Sequence, residues 1–454
     1  MLLLALAASP ALAQTEGQPT WSQFQGGPGH PGALADAPAP PYRQAWTFRA
    51  PEGALSGAVI VGSVAITVGE RAVYGVDVAT GQQVWQLIRN GGPLSMPAVG
   101  TAGGEQILVF LDQSEALGTS MVGVDLSSMR ERWRVPLGAP ARSGVTVDGA
   151  NVYAADADGT VYAVSLEAGT LLWTAETIGR VEGALAAADG NVYVVARDPD
   201  QQRVQVVALD PQTGDPRWDF SPRVGATTAS VPAAGGGLVV IGAADRLVHA
   251  LGADGGSERW TSLALSLFSP VSGAALDGGT MAIADASGGV YRLDASTGRE
   301  LWDHQLNELI VRSSPVFAGT SVLVGLNDGR LVALDAGTGH LVWQSRSTPG
   351  LIGAISLSPR AVVAVKGGSA PGLVAFVHDP GGSLMDVPSP TELDLGQLFG
   401  NFAVAFAACV VGLYAPFRFL RRRSSGRGDE DEGTVGDTTD TDDDEDADED
   451  EDDA

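Results

Sequence analysis

Between about residue 42 and residue 380, apolar and polar positions alternate in short runs, and no stretch shows the 3.6-residue period of a helix. Runs such as "VYGVD" (73–77), "VYRLD" (290–294) and "LVALD" (331–335) are rich in β-branched and aromatic residues, which suit a strand. Each leads into a polar turn and then a second run that ends on tryptophan. "VYGVDVATGQQVW" ends at Trp85, "VVALDPQTGDPRW" at Trp218, "VYRLDASTGRELW" at Trp302 and "LVALDAGTGHLVW" at Trp343. In the turn, Asp and Thr oxygens can accept main-chain amides and Gly supplies a left-handed residue. The phrase therefore predicts an antiparallel hairpin whose return strand carries the tryptophan.

The phrase recurs in strict register. Asp77, Asp125, Asp210, Asp294 and Asp335 each stand eight residues before a tryptophan, with Ser165 and Gly252 in that place in two weaker copies. From Trp46 to Trp343 the tryptophans are spaced by 39, 48, 40, 45, 42, 42 and 41 residues. Two further strands precede each hairpin, as in "SSPVFAGT" (313–320) and "SVLVGLND" (321–328). Tight turns such as Asp158-Gly159 and Asp328-Gly329 join the second strand to the third. Four strands in each period of this length make one blade of a β-propeller.

Counting sets the number of blades. Third strands begin near Val73, Met121, Val161, Val206, Val248, Val290, Leu331 and Leu373, and eight tryptophans from Trp46 to Trp343 mark outer strands. The last third strand has no tryptophan after it, and Trp46 has no third strand before it. Residues 42–49 are therefore expected to supply the outer strand of the eighth blade and close the ring. The expected fold is all-β: an eight-bladed propeller of four-stranded antiparallel blades over 42–380, with the tryptophans packed between blades.

Composition adds the chain's surroundings. The net charge of −27 is uneven: residues 424–454 carry 17 acids and one arginine, leaving −11 for the other 423 residues. No basic patch points to nucleic acid. Cys409 is the only cysteine, so neither an intramolecular disulfide nor a cysteine-based metal cluster can form. Lys366 is the only lysine and reads as a turn residue at a strand end rather than a nucleophile. Residues 1–13 read as a secretory signal with a small-x-small site at Ala11-Leu12-Ala13, followed by a lead-in over 14–41. After a juxtamembrane linker (381–394), residues 395–417 hold no charge and are long enough to span a bilayer as one helix. Arg418, Arg421, Arg422 and Arg423 follow at once, which places that end in the cytoplasm. The rest of 418–454 is expected to be a disordered acidic tail. The expected topology is single-pass type I, with an extracytoplasmic propeller.

The repeated "ALDxxTGxxxW" resembles the repeat of pyrroloquinoline-quinone (PQQ) propellers, a family that includes quinoprotein dehydrogenases and a non-catalytic outer-membrane assembly lipoprotein. "WSQFQGGPGHPG" (21–32) is similar to a lead-in seen before such propellers. The enzyme branch implies adjacent cysteines, a Glu/Asn/Asp set for Ca²⁺ and an Asp base. The cysteine pair is missing here, and no calcium set can be assigned. "DADG" (156–159) reads as a turn, not a calcium loop. His30, His249, His304, His340 and His378 show no metal-binding spacing. No catalytic, cofactor-binding or metal residue is therefore assigned, and no cofactor is expected. The lipoprotein branch implies a lipid on an N-terminal cysteine, which this sequence lacks. The expected function is a membrane-anchored, non-catalytic binding or assembly scaffold for a protein, peptide or glycan of the cell envelope. The alternatives are a PQQ-dependent dehydrogenase, or a sensor that signals through the acidic tail.

Overall fold

A computed structural model describes residues 18–385, apart from residues 93, 115–117, 142, 182, 199, 224–227, 263–272 and 311–312. The expected leader (1–13), membrane span (395–417) and tail (418–454) lie outside the described residues. No helix among those described is long and apolar enough to cross a membrane.

Eight sheets, antiparallel apart from one added parallel strand, make up the described fold. The third is typical, with strands Thr146–Asp148, Asn151–Ala155, Thr160–Ser165 and Leu171–Glu176 paired in sequence order from the axis outward. Its middle strands are buried on both faces, with Val152, Tyr153, Ala154 and Ala155 all fully buried, because a blade lies against each side. The outer strand shows only one regularly buried position, Trp173.

The eighth sheet is assembled from both ends of the propeller. Ile352–Leu357, Val362–Lys366 and Gly372–His378 are completed by Tyr42–Phe48, which pairs Tyr42 with His378 and Phe48 with Leu373. The ring closes as the tryptophan count requires. Three sheets have a fifth strand beyond the expected four. Pro19–Trp21 adds to the inner edge of Leu55–Val61 in the first blade, and Ala33–Leu34 runs parallel to Val316–Ala318 in the seventh. In the fourth blade the inner strand is broken into Arg180–Val181 and Ala186–Ala188, both paired with Asn191–Asp198.

The tryptophans join one blade to the next. Trp46, Trp133, Trp173, Trp218, Trp260 and Trp302 donate their indole N–H to Val78, Leu166, Pro211, Ala253, Ala295 and Ala336 at 2.8–3.0 Å. Each acceptor follows the Asp position of the next blade's turn. The indole also covers the turn's glycine. A Cβ on Gly81, Gly169, Gly214, Gly256, Gly298 or Gly339 would lie 2.3–2.6 Å from the ring, and φ at these residues is +67° to +79°. Only glycine meets both demands without strain. In the second blade Met129 takes that place at φ 55° and packs in one cluster with Trp85.

Substitution at such a junction should cost far more than at an open turn. Gly298→Val is expected to lower the unfolding free energy by about 2 kcal/mol or more, through φ strain and displacement of Trp260. Gly255→Val, where a Cβ meets nothing within 4 Å, should stay within about 0.5 kcal/mol of the parent. Chemical-denaturation midpoints of the two variants test this.

Candidate functional site

The lead-in is bound to the inner edges of the ring. After Trp21 pairs with Ile60 in the first blade, the chain meets the next six blades in order. Val99, Val147, Ala187, Ala234, Leu276 and Phe317, each on an inner strand, donate their main-chain N–H groups to the strap. The acceptors are Ser22 O, Gln23 Oε1, Pro28 O, Gly29 O, Pro31 O and Gly32 O, at 2.7–2.8 Å. Gln23 acts as a surrogate peptide group, since its Nε2 also donates to Val147 O at 2.9 Å. An inner strand has no neighbour on its axial side, so the strap satisfies amides that would otherwise face the axis unpaired. The fit explains the glycines of "GGPGHPG". A Cβ on Gly29 would fall 2.2 Å from Ala234 O, and Gly32, at φ +61°, would meet Ala275.

Inside this strap three polar atoms are buried without a hydrogen-bond partner: Trp21 Nε1, Gln25 Oε1 and His30 Nε2. His30 is fully buried, donates from Nδ1 to Pro232 O at 2.7 Å and stands edge-on to Phe24 at 5.0 Å. Nε2 therefore carries the lone pair. Burial lowers the His30 pKa from 6.5 to about 4, and the bond to Pro232 offsets only part of that.

The other titratable candidates are not gathered into one site. His249 is buried in the fifth blade with Nδ1 2.8 Å from Glu258 and Nε2 3.0 Å from Asp245. Burial lowers the His304 pKa against the pull of Asp303, and the charge of His340 lowers it further. His378 contacts Ala39 O at 2.8 Å. Among the described residues no group of three or more His, Cys, Asp or Glu could hold a metal. Asp156 of "DADG" accepts main-chain amides of Asp158 and Thr160 and the hydroxyl of Tyr162, which makes it a turn residue as read from the sequence. Lys366 closes a strand of the eighth blade, its pKa lowered by burial and by Arg49.

Two features escaped the sequence reading. Ser56, Ser143, Ser230 and Ser313 accept the N–H of Val68, Ala155, Gly242 and Gly325 at 2.9–3.0 Å, always twelve residues on. They tie the chain at or just before the inner strand to the second strand in alternate blades, and their regular spacing was the available signal. The other feature is buried Asp112, which accepts from Asn90 and from Arg134 at 2.8 Å and ties the segment after the first blade to the second. Burial pushes its carboxyl upward, but the bonds from Arg134 and Asn90 outweigh that and hold it below the usual range.

The rim between the seventh and eighth blades holds a cavity of about 520 Å³, lined by Tyr42, Arg43, Gln44, Trp343, Arg346 and Phe376 among others. Its floor is aromatic. Trp343 stands edge-on to Tyr42 at 5.0 Å and to Phe376 at 6.0 Å.

A family model described as outer membrane protein assembly factor BamB matches residues 30–142, 118–263 and 244–387. The chain belongs to this family. BamB of Bordetella pertussis (strain Tohama I) is 26% identical over 219 residues, which is 48% of this chain and 45% of that protein. The chain thus spans less than half the length of this curated relative. The crystal structure of BamB from Moraxella catarrhalis superposes with a TM-score of 0.59 at 16% identity, over 74% of this chain and all of that one. Quinohemoprotein alcohol dehydrogenase ADHIIG from Pseudomonas putida HK5 superposes with a TM-score of 0.63 at 12% identity, over 84% and 83%. At these identities the structural likenesses establish the propeller fold, which BamB and dehydrogenase share.

His30 gives the strap a pH signature. The buried ring stays neutral while the unfolded chain takes up a proton below pH 6.5, so the unfolded state binds more protons and stability drops as the pH is lowered. The contribution should be complete above pH 7 and decline from pH 6.5 towards pH 4, by about 3 kcal/mol in all. His30→Phe should flatten this part of the urea-denaturation profile. An unchanged slope in the variant would assign the acid sensitivity elsewhere.

Proposed function

We propose that this BamB-like propeller is a non-catalytic binding or assembly scaffold for a partner in the cell envelope. The strap carries the reading. By occupying the inner-strand amides of six consecutive blades, residues 22–32 place the chain's own backbone where the ring would otherwise present its axis to a ligand. What remains for recognition is the rim and the loops at either end, held rigid by the tryptophan junctions. The BamB relatives carry outer-membrane protein assembly in their names, which suggests a protein partner. Residues 395–417 would hold the scaffold at the membrane as a single span, with the acidic tail in the cytoplasm.

The likeness to quinohemoprotein alcohol dehydrogenase keeps a PQQ-dependent oxidation as the second reading. Reconstitution with PQQ and Ca²⁺ separates the two. A scaffold shows no quinone absorbance after gel filtration and no dye-linked alcohol oxidation, and it recovers a defined partner after crosslinking in intact envelopes. Stoichiometric retention of PQQ would overturn the scaffold in favour of the enzyme.

A further inference from the structure

The cavity at the rim follows from how the ring is closed. At six junctions the outer tryptophan of one blade is covered by the glycine of the next blade's turn, and Met129 takes the glycine's place at a seventh. The eighth blade differs: its third strand (Gly372–His378) and outer strand (Tyr42–Phe48) come from opposite ends of the propeller, and the chain after the third strand turns at Asp379–Gly382 and returns to blade seven through the bond from Met385 N–H to Val342 O. Trp343 packs against Tyr42 and Phe376, and the cavity lies beside it among the described residues.

Arg43 and Arg346 both line the cavity and are both exposed, and neither has a carboxylate partner among the described residues. Two uncompensated guanidinium groups on a chain of net charge −27 form a local site for an anion. Gln44, Gln344, Ser345 and Thr348 add hydrogen-bonding groups around the aromatic floor. A concave, largely apolar site of about 520 Å³ with a few polar groups has the size and make-up of a small-ligand pocket. Guanidinium groups pair with carboxylates through two parallel hydrogen bonds, and an apolar body attached to the carboxylate would rest on the aromatic floor.

We propose that the seam between the seventh and eighth blades is a binding site for a carboxylate carried on a compact apolar or aromatic body, supplied either as a free acid or as the C-terminal residue of a peptide. Arg43 and Arg346 hold the carboxylate, while Tyr42, Trp343 and Phe376 receive the apolar part. This goes beyond the scaffold reading and does not depend on it, because a rim site leaves the axis untouched.

Titration calorimetry or fluorescence on the full chain tests it with three probes: phenylpropionate, a tetrapeptide ending in Phe with a free carboxylate, and the same peptide as its C-terminal amide. Trp343 fluorescence should report occupancy. Saturable binding of either carboxylate probe is expected, with the amide at least about tenfold weaker. If the free acid binds as well as the peptide, the site takes the acid; if only the peptide binds, it takes a chain terminus. The double variant Arg43→Gln, Arg346→Gln should lose about tenfold or more in affinity with an unchanged melting temperature, since both side chains are exposed and unpaired. Arg43→Lys with Arg346→Lys should recover only part of the loss, because lysine keeps the charge without the fork. Equal binding of acid and amide, affinity unchanged in the double glutamine variant, or no saturable binding of either carboxylate would each overturn the proposal.

Discussion

The whole molecule depends on the pairing of Tyr42–Phe48 with Gly372–His378. A blade buries both of its faces only where another blade lies on each side, so an open ring would leave the apolar faces of its end blades in water. The cost would be shared, because the middle strands of the blades are largely buried on both faces. Closure by a strand from the far end of the sequence converts eight weakly independent sheets into one cooperative unit. The tryptophan junctions then repeat the same local solution between neighbours: an indole N–H on a turn carbonyl, and an indole ring on a glycine with no Cβ.

That repetition is why the fold was legible. Each junction needs a ring, a glycine and a turn at fixed offsets, so the same residue types return in the same register and can be counted. The surplus third strand at Leu373 and the unattached Trp46 were enough to find the closing strand. The strap was not legible for the opposite reason. Its bonds to the blades come mostly from main-chain carbonyls of Ser22, Pro28, Gly29, Pro31 and Gly32, which leave no side-chain pattern beyond a need for small residues. Gln23, Gln25 and His30 add side-chain contacts, to Val147, Pro315 and Pro232. The histidine that packs within the strap looked like one of five scattered histidines, because its burial arises from a ring that assembles around it.

The rim cavity was hidden for a further reason. It is lined by residues from the beginning and the end of the propeller, at the blade whose third and outer strands are not joined by a hairpin. Sequence patterns announce what recurs, and they are silent about the one junction where the recurrence fails. That break is also where a repeat protein can acquire an individual surface, since six of the other junctions are filled by an indole and a glycine and the seventh by Trp85 and Met129. The uncompensated pair Arg43 and Arg346 sits there, on a chain otherwise rich in acids.

The strap and the closing strand belong to the same N-terminal arm, and this couples the axis to the rim. Residues 22–32 need the inner edges of blades two to seven, while Tyr42–Phe48 need the third strand of blade eight. The part of the propeller made first therefore acquires its partners last, and its contacts span nearly the full length of the ring. Contacts of such long sequence separation carry the largest loop-closure entropy and form late. Once formed, they act together. Releasing the closing strand frees one end of the strap, and displacing the strap leaves inner-strand amides unpaired towards the axis. A ring pinned in this way does not breathe one blade at a time, which suits a rigid support for binding at its edge.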